Sequence, residues 1–358
     1  MPELPEVQAL AAFVEQKARG RRIADVQLVS FAALKTADPA PSALVGRTVT
    51  GAGRRGKFLL IETKVAGDGG TARGGDAGRA PAPDEGLDGR DAGLRQGARA
   101  GNEPDRDARA VDTLWLAVHF WRAGWLRWHD APAPQPSAKR RTAPAEADAG
   151  LRAVPPAASR PRPRGGPIAM RVTLDDRSGF DLTEAGTQKR LAIHVVRSPE
   201  EVPGIARLGI DALDPAFDSA ALARMLHGRT AQLKHLLADQ SLIAGVGNAY
   251  SDEALHAARL SPFRPAGNLS AEEVERLHEA LLGVLRDGLR RNEGVPASEL
   301  KDEKRSGMRV HGRTGLPCPV CGDAVREVAF SDRSLQYCPT CQTGGKPLAD
   351  RRLSRLLR

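Results

Sequence analysis

Apolar residues at Val7, Leu10, Phe13 and Val14 recur at the three- and four-residue spacing of one helical face, and Gly20 follows as a C-terminal stop. After that helix the period changes. Short alternating or apolar segments at Ile23 to Val29, Arg47 to Thr50, Lys57 to Glu62, Leu114 to Val118, Gly124 to Trp128, Ala169 to Leu174 and Leu191 to Val196 predict strands. From Ile205 onward the helical period returns. Asp218-Ser219 precede an apolar run at Leu222 to Leu226, Gln232 to Leu237 supplies a second apolar face, and Ser251 to Ala258 a third. Ser270-Ala-Glu-Glu273 is a capping box, and Val274, Leu277, Leu281, Leu285 and Leu289 make the stripe of a long final helix. The order predicts a multi-domain α+β chain: an N-terminal helix plus an antiparallel β-sandwich, then a helical domain.

Two stretches interrupt the pattern. Residues 66–110 hold eleven glycines with Leu87 and Leu94 as their only large aliphatics, too few to offset the entropy of ordering. Residues 131–167 hold nine prolines, including Pro161-Arg-Pro-Arg, and read as a semi-extended basic loop. Both are expected as disordered inserts between strands. Without them about 275 of the 358 residues remain, enough for two small domains and a terminal module.

That module is marked by cysteine. Cys318-Pro-Val-Cys321, sixteen residues, then Cys338-Pro-Thr-Cys341 account for all four cysteines of the chain. Paired CxxC motifs at this spacing suit one structural zinc ion held by four thiolates, a closed site with no position for a catalytic water. Two disulfides or a redox pair are the rivals. No secretory signal and no long apolar run accompany the cysteines, which favours zinc and argues against a membrane protein. Between the pairs lie two β-like segments with Ser331-Asp332-Arg333-Ser334 as the turn. From Lys301 to Arg358 there are twelve Lys/Arg against six Asp/Glu, which is +6 of the chain's net +9. A basic, metal-stapled hairpin reads as a nucleic-acid contact surface, with Arg333 at its tip placed to reach a phosphate.

The chain opens Met1-Pro2-Glu3-Leu4-Pro5-Glu6-Val7. Pro and Glu here also suit an ordinary helix start. If Met1 is removed, however, a secondary amine stands next to a carboxylate: a nucleophile beside a general acid/base, able to form an iminium with a sugar C1′. A second unusual segment is Ile243-Ala-Gly-Val-Gly-Asn-Ala-Tyr250, whose Gly245 and Gly247 permit close backbone approach and whose Asn248 lies at the next helix start.

Taken together, Pro-Glu-Leu-Pro-Glu-Val, then Arg-Arg-Gly-Lys57-Phe-Leu-Leu, then Gln240-Ser-Leu-Ile-Ala-Gly-Val-Gly-Asn248-Ala-Tyr-Ser-Asp-Glu253, then the four-cysteine hairpin resemble the formamidopyrimidine-DNA glycosylase and endonuclease VIII family. Four motifs in order span nearly all of the patterned chain. The resemblance implies a catalytic sandwich domain at 1–200, a helix-two-turn-helix domain at 201–297, a zinc-finger hairpin at 298–345 and a basic tail at 346–358. It implies a base-excision-repair enzyme, a bifunctional glycosylase and abasic-site lyase, bacterial-type, cytoplasmic and nucleoid-associated, monomeric, with damaged double-stranded DNA as its partner. Pro2 would attack C1′ and Glu3 would move the protons. Lys57, on a strand, would bind the phosphate beside the lesion; Lys234 and Asn248 would hold phosphates from the helical module, and Arg333 would clamp from the finger. Glu6 and Glu253 would support the active site.

Two segments depart from the family's pattern. His119-Phe-Trp-Arg122-Ala-Gly124 puts Arg122 where the family often has the methionine that fills the gap left by the flipped base. Glu184-Ala-Gly-Thr-Gln188-Lys-Arg190-Leu191 lacks the family's intercalating phenylalanine, leaving Arg190 as the reader of the opposite base and Leu191 as an aliphatic wedge. The lesion class therefore stays open between oxidised purines, oxidised pyrimidines and bare abasic sites. The alternative to an enzyme is a non-catalytic relative that binds abasic or damaged DNA.

Overall fold

The computed structural model describes residues 1–65, 112–131, 166–330 and 334–349. The glycine-rich stretch 66–110 and all but the ends of 131–167 lie outside the described residues, as do Arg333 and the tail from residue 350.

Helix α1 (Leu4–Ala18) stops where the sequence suggests, with Gly20 at φ 79° just past its end. Eight strands follow: β1 (Ile23–Leu28), β2 (Arg47–Arg55), β3 (Phe58–Val65), β4 (Thr113–His119), β5 (Gly124–His129), β6 (Ile168–Leu174), β7 (Gly179–Glu184) and β8 (Ala192–Val196). They form two four-stranded antiparallel sheets, ordered β2-β3-β4-β8 and β1-β6-β7-β5. Val7, Leu10 and Val14 of α1 join Leu59, Ile61, Leu116, Val118, Leu126 and Val172 in the sandwich core, as alternating inward residues require.

Strand β7 is absent from the periodicity because all six of its residues are buried, three of them polar. Each polar side chain is satisfied: Asp181 takes a bidentate bond from Arg171, Thr183 donates to the Trp125 carbonyl, and Glu184 accepts from the Arg190 and Leu191 amides. A buried polar strand escapes a search for apolar alternation.

The helical domain comprises α2 (Ser219–Leu226), α3 (Leu233–Ala238), α4 (Asn248–Ala257) and α5 (Ala271–Asn292). Asp218 caps α2 and the Ser270–Glu273 box caps α5, each worth about 1 kcal/mol. Val274, Leu277, Leu281 and Leu285 are buried on the inner face of α5, at about 1.5–3 kcal/mol apiece. A short helix α6 (Leu300–Ser306) then leads to the hairpin β9 (Arg326–Ala329) and β10 (Ser334–Tyr337), paired antiparallel. Among the described residues no helix is long and apolar enough to cross a membrane.

Two features lock the domains together. Leu4, in the first turn of α1, packs into the helical core while Val7 onward packs into the sandwich. The largely buried Arg54 of β2 donates twice to Asp211, at 2.5 and 3.0 Å, and once to Gln8 at 3.0 Å. Asp211 is partly exposed, so solvent shares its charge. Arg54→Leu is accordingly expected to lower unfolding free energy by about 1–3 kcal/mol in urea titrations. Wild-type stability in that variant would mean that the bridge does not hold the domains.

Candidate active site

The amino end of α4 is built to receive an anion, and the anion is a side chain. Gly247 precedes the helix, and the Ala249 and Tyr250 amides donate to the two Glu3 oxygens at 2.9 and 3.4 Å. What approaches the glycines of this segment is therefore the Glu3 side chain. Gly245 and Gly247 are needed for the approach. A Cβ on Gly245 would lie 2.9 Å from the Leu4 Cβ, and one on Gly247 would lie 2.5 Å from the Glu3 carboxyl carbon and 2.6 Å from the Lys57 ammonium. The loop is held open by Gln240, which donates to the Val246 carbonyl and accepts from the Gly245 amide, while the Gly245 carbonyl accepts the Leu4 amide.

Glu3 is only 2% exposed. Burial raises its pKa, but Lys304, Lys57 and the Ala249 amide outweigh burial and hold it at about 2. Lys57 is not on a strand. It occupies the turn between β2 and β3, beside Gly56 at φ 53°, and burial lowers its ammonium to about 8 against the pull of Glu3. Glu6 is buried behind Glu3, accepting from the Glu3 amide at 2.8 Å, the Tyr250 hydroxyl at 2.8 Å and Lys304 at 2.7 Å. Pro2 is buried immediately beside these carboxylates. The Met1 amine is lowered from 8.0 to about 6 by burial and then by Lys304, with Glu3 and Glu6 opposing. Lys304 lies in no motif, and Tyr250, though it closes the Ile243–Tyr250 segment, carries no signal there that sets it apart as a site residue.

Family models match three stretches of the chain: the formamidopyrimidine-DNA glycosylase N-terminal domain at 1–153, the formamidopyrimidine-DNA glycosylase H2TH domain at 208–298, and the zinc finger found in FPG and IleRS at 315–344. A formamidopyrimidine-DNA glycosylase of Moorella thermoacetica is 32% identical over 338 residues, covering 92% of this chain and 94% of its own. The chain belongs to the formamidopyrimidine-DNA glycosylase family. An uncharacterized formamidopyrimidine-DNA glycosylase-like protein of Mycobacterium tuberculosis is 62% identical over 151 residues, 42% of this chain and 94% of that one. The MutM (Fpg) protein of Thermus thermophilus superposes with a TM-score of 0.64 at 27% identity, covering 97% of this chain and 100% of that one. A Lactococcus lactis Fpg in complex with a Fapy-dG containing DNA shares the fold, with a TM-score of 0.65 at 19% identity over 95% and 100% of the two chains.

Against this formamidopyrimidine-DNA glycosylase frame, Lys234 is corrected from a phosphate ligand to a brace. Its ammonium spends its three donors on the Asn248 carbonyl, the Ser251 hydroxyl and Asp252, at 2.6, 2.9 and 2.5 Å. Asn248 is half-buried and donates to the Ser334 carbonyl of the hairpin at 2.7 Å. Glu253 bonds to backbone amides rather than to Glu3 or Glu6. It accepts from the Arg309, Val310 and His311 amides, and with Asp252, which accepts from His311 and Gln336, it fastens the hairpin to α4.

The turn between β4 and β5 carries exposed Arg122 and Trp121, the latter at φ 48° and 40% exposed, and forms a second candidate rim. The Arg190 guanidinium lies 5.7 Å over the Trp121 ring. Leu191 is 1% exposed within the sandwich core, so the wedge expected there is excluded. Trp121 is the exposed flat side chain of this rim, and only the fold reveals its exposure.

The four cysteines fit zinc. The Cys318, Cys338 and Cys341 sulfurs and a His256 nitrogen lie within 4.8 Å of one another, with Cys318–Cys341 at 3.9 Å and Cys321–Cys338 at 3.3 Å. Tetrahedral Zn–S bonds of about 2.3 Å require sulfurs about 3.8 Å apart. Burial, followed by the neighbouring Cys321 and Cys318 sulfurs, pushes the Cys338 thiol up to about 11, so its thiolate form calls for a cation's field. Cysteines 318, 321, 338 and 341 would hold the ion. His256 of α4 places Nε2 3.3 Å from the Cys318 sulfur, at the edge of the same site.

Two outcomes follow from this geometry. Gly247→Ala is expected to displace Glu3 or Lys57 and to slow base excision by about 100-fold while the protein stays folded; normal turnover would show that the close approach is dispensable. Chelation, or Cys338→Ser, is expected to release the hairpin and weaken duplex binding in an anisotropy titration. Undiminished binding would count against the hairpin as a DNA contact.

Proposed function

We propose that this chain is a base-excision-repair DNA glycosylase that removes oxidised bases from duplex DNA through a Pro2 Schiff base and then cleaves the abasic site by β- or β,δ-elimination. The observation that carries the reading is an ionised, buried Glu3 fixed on the α4 amides, next in the chain to the buried Pro2. Membership of the formamidopyrimidine-DNA glycosylase family supports it.

Once Met1 is removed, the Pro2 nitrogen forms a bond to C1′ as the glycosidic bond breaks, and the base leaves with the bonding pair. The amine proton passes to the Glu3 carboxylate, which is ionised and so free to take it. Protonated Glu3 then delivers that proton to O4′, the C1′–O4′ bond breaks, and the nitrogen lone pair completes an iminium. The iminium acidifies the C2′ proton, whose loss expels the 3′ phosphate. A lyase step thus follows from the choice of nucleophile.

Reaching C1′ requires the nucleotide to leave the stack, at a few kcal/mol, so phosphate contacts on both sides are part of the reading. Lys57, Asn248 and Arg333 are assigned to them, with Arg122, Trp121 and Arg190 at the rim that meets the opposite strand. The protein is read as a cytoplasmic monomer that acts on damaged duplex DNA.

Borohydride trapping tests the assignment on duplexes carrying an abasic site, 8-oxoguanine or 5-hydroxyuracil. Pro2→Gly is expected to abolish trapping with duplex binding retained, and Glu3→Gln to bind abasic DNA without excising bases. Trapping by Pro2→Gly, or excision by Glu3→Gln, would refute the corresponding role; wild-type binding with no adduct on any duplex would favour a non-catalytic damage-binding protein.

A further inference from the structure

Lys304 lies in Lys301-Asp-Glu-Lys304-Arg305, a charge run that reads as solvated surface. In the folded chain its side chain is 13% exposed. Its ammonium sits 2.7 Å from a Glu6 oxygen, 3.6 Å from a Glu3 oxygen, 3.3 Å from the Met1 carbonyl oxygen and 4.9 Å from the centre of the Tyr250 ring. The Met1 carbonyl is bonded to the Pro2 nitrogen, so a fixed positive charge stands beside the nucleophile itself.

The placement is built, not incidental. Leu300, one turn earlier on the same face of α6, is buried in the sandwich core, and the preceding Ala297 carbonyl accepts the Trp125 indole N–H at 2.9 Å. Lys301 lies 4.4 Å over the Trp125 ring. The connection between the helical domain and the zinc hairpin is thereby pinned to the sandwich, which aims Lys304 at the first turn of α1.

We propose that Lys304 is a positioning residue of the catalytic centre, whose ammonium fixes the Glu3 and Glu6 carboxylates and supplies positive charge beside the Pro2 amine. This rests on the Pro2 Schiff-base reading above. The charged groups around the amino terminus are Lys304 and Lys301 of α6, Glu3 just before α1 and Glu6 within it, with Lys57 of the β2–β3 turn beside Glu3 and the Tyr250 hydroxyl of α4 on Glu6. Two buried carboxylates face the buried Lys57 and the largely covered Lys304; removing Lys304 leaves one carboxylate without a counter-charge. The Met1 amine is lowered first by burial and next by Lys304, so the sign of the Lys304 contribution agrees, since a cation favours the neutral amine.

The test is the pH dependence of borohydride trapping on an abasic duplex, with Met1 removal verified. Wild-type trapping is expected to rise with pH as the Pro2 amine loses its proton. Lys304→Gln removes the charge; its midpoint is expected to move up by about one pH unit relative to wild type, slowing trapping about tenfold at pH values below the wild-type midpoint. Lys304→Arg is expected to restore the wild-type midpoint, and Lys304→Met provides a second neutral variant should the glutamine fail to fold. An unchanged midpoint in the neutral variants, with wild-type trapping intact, overturns the Lys304 assignment alone. An adduct mapped to residue 304 overturns it in favour of a lysine nucleophile. Wild-type protein that traps nothing overturns the Pro2 reading as well.

Discussion

The bond between the Glu3 carboxylate and the α4 amides joins the beginning of the chain to a helix 246 residues later. Around it the two larger domains find their relative placement: Leu4 enters the helical core, the Leu4 amide donates to Gly245, and Gly247 has no Cβ because Glu3 and Lys57 fill the space. A helix N-terminus carries roughly half a positive charge, and a buried carboxylate without a partner costs several kcal/mol. Each satisfies the other. Glu3 is therefore also the interdomain fastening, and its charge state is set by Lys304, Lys57 and the Ala249 amide against burial.

Helix α4 extends this logic toward the finger. Its first turn holds Glu3, its second presents Asp252 and Glu253 to the hairpin, and its last turn brings His256 to the cysteine cluster. Ten residues thus connect acid, brace and metal site along one rigid rod. Lys234, which the family resemblance offers as a phosphate ligand, is consumed in keeping that rod in register.

Much of this was readable in the sequence, for reasons that differ by residue. The cysteine spacing dictates its own geometry, the apolar stripe of α5 dictates its buried face, and Gly245 and Gly247 announce a close approach without naming what approaches. Strand β7 was hidden because its burial is polar. Lys304 was hidden because a lysine in a charge run is ordinarily solvated, and only the anchoring of Leu300 and Ala297 turns it inward. Lys234 misled because an ammonium suits a phosphate and an aspartate equally well; Asp252 on the neighbouring helix α4 decides between them. Trp121 depends on a backbone φ that sequence does not display.

The placement of Pro2 has a consequence for how the molecule is made. Glu3 and Glu6 bind partners near positions 249 and 304, so the site cannot close until most of the chain has been made. In the folded protein Pro2 is buried. On the proposed Schiff-base reading, the interval before closure is when Met1 has to be removed, since a chain that folds with Met1 attached holds that nitrogen as an amide.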